Sequence, residues 1–95
     1  IGYYRSVREK IRYYADGNYI KEHSATEGEV FISFVVASNG ELLHIMVIDN
    51  RSVNSTLLRN IAINSVRDAS PFPAFPQGLN QDETLCRLLL GREHH

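Results

Sequence analysis

Apolar residues recur along the chain with two different periods, and the first period is helical. Between Tyr3 and Tyr14 they follow one another at spacings of three and four, which is typical of a helix with one apolar stripe. The stripe consists of Tyr4, Val7, Ile11 and Tyr14. Asp16-Gly17-Asn18 tolerates left-handed backbone angles and is expected to end this helix. The polar, irregular segment from Tyr19 to Glu27 is expected to form a loop.

The second period is an alternation, and it predicts a β-hairpin. From Gly28 to Val36 every second residue is apolar, and Leu42 to Ile48 is expected to return as a second strand. Asn39-Gly40 lies between the two runs and is a strong hairpin signal, because both residues tolerate positive φ. One face of the first strand carries Val30, Ile32, Phe34 and Val36, and the other carries Phe31, Ser33, Val35 and Ala37.

A second helical stripe and a last strand complete the pattern. Asn54-Ser55 offers an N-cap for the helix. Thr84 to Leu90 is expected to form the last strand, which gives the order helix, strand, strand, helix, strand. The stripe of the second helix consists of Leu58, Ile61, Ala62, Ser65, Val66 and Ala69.

A run of prolines and phenylalanines closes the second helical pattern. Proline at position 71 disfavours helical geometry at Ser70, and each proline removes a backbone donor. The run therefore predicts an extended structural connector that carries the chain to a distant strand, with its rings free to anchor it to the core. The connector residues are Pro71, Phe72, Pro73, Phe75 and Pro76.

These elements predict an α+β fold with two layers. A third strand reached through a helix should lie beside the first strand and antiparallel to it, so that the sheet has the order second, first, third. Both helices should cover one face. The last strand then lies on an edge with unpaired N–H and C=O groups, and Arg87 and Arg92 are the only charges expected to guard it. Such an edge is either an aggregation hazard or a docking site.

Composition limits the functional classes. The 95 residues are 43% hydrophobic and 22% charged, which is typical of one folded domain. A net charge of −1 gives no general attraction to nucleic acid or anionic lipid. There is no signal peptide and no long apolar stretch. The chain begins at Ile1 without methionine, so we expect a fragment, and Glu93-His94-His95 resembles the remnant of a purification tag.

Candidate chemistry is sparse. His44 and His23 are isolated, and two isolated histidines do not make a metal site. Cys86 could act as a nucleophile with His44 as its base, but a lone cysteine in an apolar strand more often serves packing. No Gly-rich phosphate loop, paired-carboxylate motif or G-x-S-x-G motif occurs. We therefore expect no catalytic residue, no metal and no cofactor.

One basic patch suggests an alternative. In the first helix Arg5, Arg8, Lys10 and Arg12 are interleaved with tyrosines, as in some nucleic-acid-binding surfaces. Acidic neighbours and the near-neutral total favour a solvated helix face instead. A nucleic-acid-binding αββαβ module remains a second hypothesis, and its binding would depend steeply on salt.

In this layout and in several motifs the chain resembles the C-terminal periplasmic domain of TonB, with the related TolA domain close behind. The family hairpin opens with a glycine and alternating apolar residues, as at Gly28, and turns at Asp-Gly or Asn-Gly, as at Asn39-Gly40. Its second helix ends in a Pro-Phe-Pro run, as at Pro71-Phe72-Pro73. The matching helix positions are Leu58, Ala62, Val66 and Ala69.

Three departures accompany the resemblance. Ser52-Val53-Asn54 stands where the family usually has Ser-Ser-Gly before the second helix. Leu58-Arg59 replaces a Leu-Asp pair, so a family carboxylate becomes a cation. Tyr19-Ile20 replaces the usual Tyr-Pro ahead of the hairpin.

The resemblance implies a single TonB-like domain over residues 1–92, without enzymatic activity. It implies a periplasmic energy transducer, anchored in the inner membrane by one N-terminal helix outside this sequence and coupled there to a proton-driven motor. The partner would be the box peptide of an outer-membrane receptor, added to the sheet edge as another strand. A TolA-like envelope adaptor is the alternative, and the same edge could form a homodimer. The docking residues would be Thr84, Leu85, Cys86, Arg87, Leu88, Leu89 and Leu90.

Overall fold

Within the described part of the chain, two helices and three strands make up the fold, in the order predicted from the sequence. The computed structural model describes residues 2–23, 25–74 and 81–91. The elements are helix α1 (Gly2–Lys21), strands β1 (Gly28–Ala37) and β2 (Leu42–Val47), a 3-10 turn (Asp49–Arg51), helix α2 (Thr56–Ala69) and strand β3 (Gln81–Leu90).

The three strands form one antiparallel sheet in the order β2-β1-β3, which confirms the predicted topology. Ile32 in the middle of β1 lies opposite Val47 of β2 and Cys86 of β3. Strand β3 begins at Gln81 rather than at Thr84, because β1 continues to Ala37 and Gln81 pairs with it. The sequence pattern predicted a shorter strand because the first three residues of β3 are polar.

The core lies between one face of the sheet and both helices, as predicted. The apolar residues that alternate along β1 are fully buried on this face, and the predicted stripe of α2 is buried against it. From α1 the buried side chains are Val7, Ile11 and Ala15. On the sheet they are Val30, Ile32, Phe34, Val36, Cys86, Leu88 and Leu90.

Helix α1 is longer than predicted, because tertiary contacts outweigh a local stop signal. It runs through Asp16-Gly17-Asn18 and ends at Lys21, so the predicted loop begins later. The amide of Asn18 donates to Ser65 Oγ at 3.1 Å and to Asp68 Oδ2 at 3.0 Å on α2. These two bonds hold the last turn against the neighbouring helix.

The connector after α2 is anchored to the core, as predicted for its first aromatic ring. Phe72 is 4% exposed and stacks on Phe34, with ring centroids 5.8 Å apart. The Phe72 N–H donates to the carbonyl of Gly40 in the hairpin turn at 2.8 Å. Phe75 and Pro76, which were predicted to belong to the connector, lie outside the described residues.

Candidate functional site

The hydrogen bonds of β1 determine which way the backbone of β3 faces. Phe31 accepts from Ile48 N at 2.8 Å, and its own N–H donates to Ser52 Oγ at 3.0 Å. The carbonyl of Glu29 accepts from Val53 N at 2.8 Å. Phe31 and Glu29 therefore direct their backbone groups toward the β2 side of the sheet.

Their partners on β3 face the other way. Arg87 lies opposite Phe31, and Leu89 lies opposite Glu29. Because residues alternate along an antiparallel ladder between bonded and non-bonded pairs, both residues direct their N–H and C=O groups away from β1. Leu85, two residues before Arg87, does the same. These three residues form what we call the open edge.

The structure divides the seven predicted docking residues into two groups. Those on the open edge have outward backbone groups, and Leu85 is also 47% exposed at its side chain. The other four use their backbone groups to pair with β1 and bury their side chains in the core. This second group consists of Thr84, Cys86, Leu88 and Leu90. These four residues therefore offer no backbone hydrogen bonds to a partner at the edge. Docking at the edge stays a prediction.

The charged side chains at this edge include one that was not predicted. Arg87 forms an ion pair with Glu29 of β1, its Nη2 lying 2.6 Å from Oε2, so its charge is balanced within the sheet. Arg92 lies outside the described residues. Arg12 of α1 also reaches the edge and donates from Nη1 to the carbonyl of Leu89 at 2.7 Å. The sequence shows the spacing of Arg12 from Asp16, but nothing in it points to β3.

The sheet face opposite the helices is partly apolar. Side chains on this face line a shallow depression of about 330 Å³. Beside it the guanidinium of Arg51 lies 4.2 Å from the centroid of the Phe31 ring, a cation–π contact that covers part of the face. The depression is lined by Ser33, Met46, Ile48 and Leu85.

The hypothetical cysteine–histidine pair does not form. Cys86 shares a face with Ile32 and points into the core, whereas His44 lies opposite Val35 and is exposed on the other face of the sheet. Burial raises the pKa of the Cys86 thiol, and the nearby charges of Arg8 and Arg12 oppose the rise in part. A buried thiol with a raised pKa is a poor nucleophile.

Three of the four basic side chains of the predicted patch on α1 have partners within the protein. Arg5 pairs with Glu9 at 3.3 Å, and Lys10 donates to the carbonyl of Pro71 at 3.2 Å. Arg12 donates to the carbonyl of Leu89. These contacts favour a role of the patch in the fold rather than in binding nucleic acid.

Within residues 2–23, 25–74 and 81–91, no three acidic, histidine or cysteine side chains cluster as metal ligands could. In the same ranges neither helix combines the length and apolarity needed to cross a bilayer.

Comparison with known proteins supports the fold. No protein-family model matches the chain, and no curated protein matches its sequence. A solved structure, the solution NMR structure of the TonB C-terminal domain from Helicobacter pylori, superposes with a TM-score of 0.65 at 18% identity. The match covers 92% of this chain and 81% of that one. This chain therefore has the fold of a TonB C-terminal domain.

Proposed function

We propose that this domain is the periplasmic part of a TonB-type energy transducer and that it binds an outer-membrane receptor by strand addition at β3. The observation that carries the proposal is the open edge, where backbone donors and acceptors of Leu85 and Arg87 face away from the sheet. Within the described residues, no backbone group forms a hydrogen bond to these donors and acceptors from the outer side of β3. Main-chain hydrogen bonds to an extended segment would satisfy them.

The likeness in fold to a TonB C-terminal domain supports the proposed periplasmic location and energy-transducing role. A transducer of this type is anchored in the inner membrane by one N-terminal helix and coupled there to a proton-driven motor. An added strand suits a domain that transmits force, because several hydrogen bonds loaded together resist pulling better than one bond loaded alone. A TolA-like adaptor on the same fold would not need to recognise a receptor box.

Titration with a box peptide tests the proposal. The ¹⁵N-labelled domain is titrated with a synthetic box peptide from an outer-membrane transporter, and the amide resonances of Leu85 and Arg87 should shift. Shifts confined to α1 would contradict docking at the edge. Binding of an oligonucleotide that weakens steeply with added salt would favour the nucleic-acid hypothesis instead.

Proline substitutions then locate the edge. Leu85→Pro removes an outward donor without removing a bond to β1, and proline is tolerated on an edge strand at such a position. We expect it to fold and to weaken peptide binding at least tenfold, since two hydrogen bonds or more are disturbed. Val47→Pro is the matched control, because Val47 lies on the opposite edge, in β2. If the control loses binding and Leu85→Pro keeps it, the partner docks on β2.

A further inference from the structure

The end of the open edge is occupied by a side chain of the protein itself. Arg12 Nη1 lies 2.7 Å from the carbonyl oxygen of Leu89, and this carbonyl faces outward. An added strand would lie about 4.8 Å from β3 and would place its own N–H at the same oxygen. The guanidinium therefore stands where the backbone of a partner would have to be.

Two features hold Arg12 in this position. Its Nη1 also donates to Asp16 Oδ1 at 3.0 Å, one turn further along α1. The neighbouring residue Ile11 is fully buried in the core, so the helix cannot rotate to withdraw the side chain without exposing apolar surface. The side chain of Arg12 is itself only 27% exposed. The contact is thus part of the packed structure and not a mobile surface pair.

We propose that Arg12 is an end-stop that limits strand addition to the part of β3 before Leu89. The inference rests on the proposed docking at the open edge and adds a limit to the length and register of the partner. A partner segment can pair with Leu85 and Arg87, and its next residue meets the guanidinium rather than a free carbonyl. The fitting partner is a short extended segment that leaves the sheet, or turns, at this point.

Hydrogen exchange of single amides tests the end-stop. Two probes are used, the box peptide and a blocked eight-residue peptide of alternating valine and threonine, which can add to an edge without being a receptor sequence. With either probe the wild type should slow exchange at Leu85 and Arg87 and leave Leu89 unchanged. In Arg12→Ala the slowing should extend to the Leu89 amide, and the affinity should rise at least about threefold, since the residue opposite Leu89 can then exchange both backbone hydrogen bonds with it.

Arg5→Ala is the matched control, because it removes an equally spaced ion pair from α1, with Glu9, and Arg5 makes no hydrogen bond or ion pair with β3 among the described residues. It should behave like the wild type. Asp16→Asn, which keeps Arg12 but removes the negative charge of its ion-pair partner, should give an intermediate extension. Asp16→Asn also replaces Arg12→Ala as the test variant if Arg12→Ala folds poorly.

The outcomes separate the two proposals. Suppose that only the valine–threonine peptide binds, and that it leaves exchange at Leu89 unchanged in the wild type but slows it in Arg12→Ala. The end-stop is then supported and the receptor role fails. If either probe slows exchange at Leu89 in the wild type, the end-stop is wrong and edge docking stands. An edge that accepts neither probe in any variant overturns both.

Discussion

Arg59 on the first turns of α2 forms an ion pair with Asp49 in the turn that follows β2. The same guanidinium donates from Nε to the carbonyl of Val53 at 2.8 Å, and from Nη2 to the carbonyls of Asp49 and Ser52 at 3.2 Å each. One side chain thus satisfies three carbonyls of the loop between the hairpin and α2. The cation at position 59 thus has its own partner in the loop.

Arg59→Ala should lower the free energy of unfolding by about 1–3 kcal/mol, because partly buried carbonyls lose a charged donor. The guanidinium side chain is 22% exposed, whereas that of Asp49 is 87% exposed. Asp49→Asn should therefore cost less than about 1 kcal/mol, as is usual for exposed ion pairs. Urea denaturation of both variants measures the difference. Equal losses would mean that the ion pair, and not the carbonyl contacts, stabilises the loop.

Phe72→Ala should destabilise the domain by about 3–5 kcal/mol, because it removes a buried ring that stacks on Phe34. Phe72→Leu fills most of the volume and should cost clearly less. Thermal unfolding followed by circular dichroism measures both. A small loss in the alanine variant would show that the connector does not depend on this anchor.

Gly40→Ala should cost about 2 kcal/mol or more, because its φ of +94° is unfavourable for residues with a Cβ atom. The added Cβ would also collide with the carbonyl oxygen of Phe72. Gly17→Ala is the opposite case, since Gly17 is helical and an added Cβ meets nothing within 4 Å. That substitution should stabilise the domain by about 0.5–1 kcal/mol. Urea midpoints of the two variants should move in opposite directions.

The stability of the domain should fall in alkaline solution because of Cys86. Its folded pKa is raised above the ordinary value of 9.0. As pH rises past that value the unfolded thiol loses its proton while the folded thiol keeps it, which favours unfolding. The contribution of Cys86 is thus complete at neutral pH and is lost as pH rises toward the folded pKa.

Cys86→Ala removes this titration and provides the comparison. Between pH 7 and about 9.5 the stability of the wild type should fall more steeply with pH than that of the alanine variant. The variant is less stable throughout because of its cavity, so only the difference in slope is informative. Parallel pH profiles would contradict a raised thiol pKa.

The sequence alone determined the elements whose signals are local. The alternation in β1 places Ile32 and Phe34 on the buried face whatever strand lies beside it, because successive side chains point to opposite faces. The Asn39-Gly40 turn and the cap at Ser55, whose Oγ accepts from Leu58 N at 3.2 Å, likewise depend on neighbouring residues only.

Tertiary structure decided the features that depend on contacts distant in sequence. Helix α1 continues past Asn18 because the side-chain amide of Asn18 donates hydrogen bonds to α2. Local sequence preference cannot predict this contact. The register of β3 against β1 decides that the backbone of Arg87, rather than that of Leu88, faces outward. Arg12 reaches Leu89 only because α1 packs beside β3. The sequence therefore determined most of the residues that form the sheet and its core, and the packing of α1 and β1 determined which part of the edge of the sheet remains open.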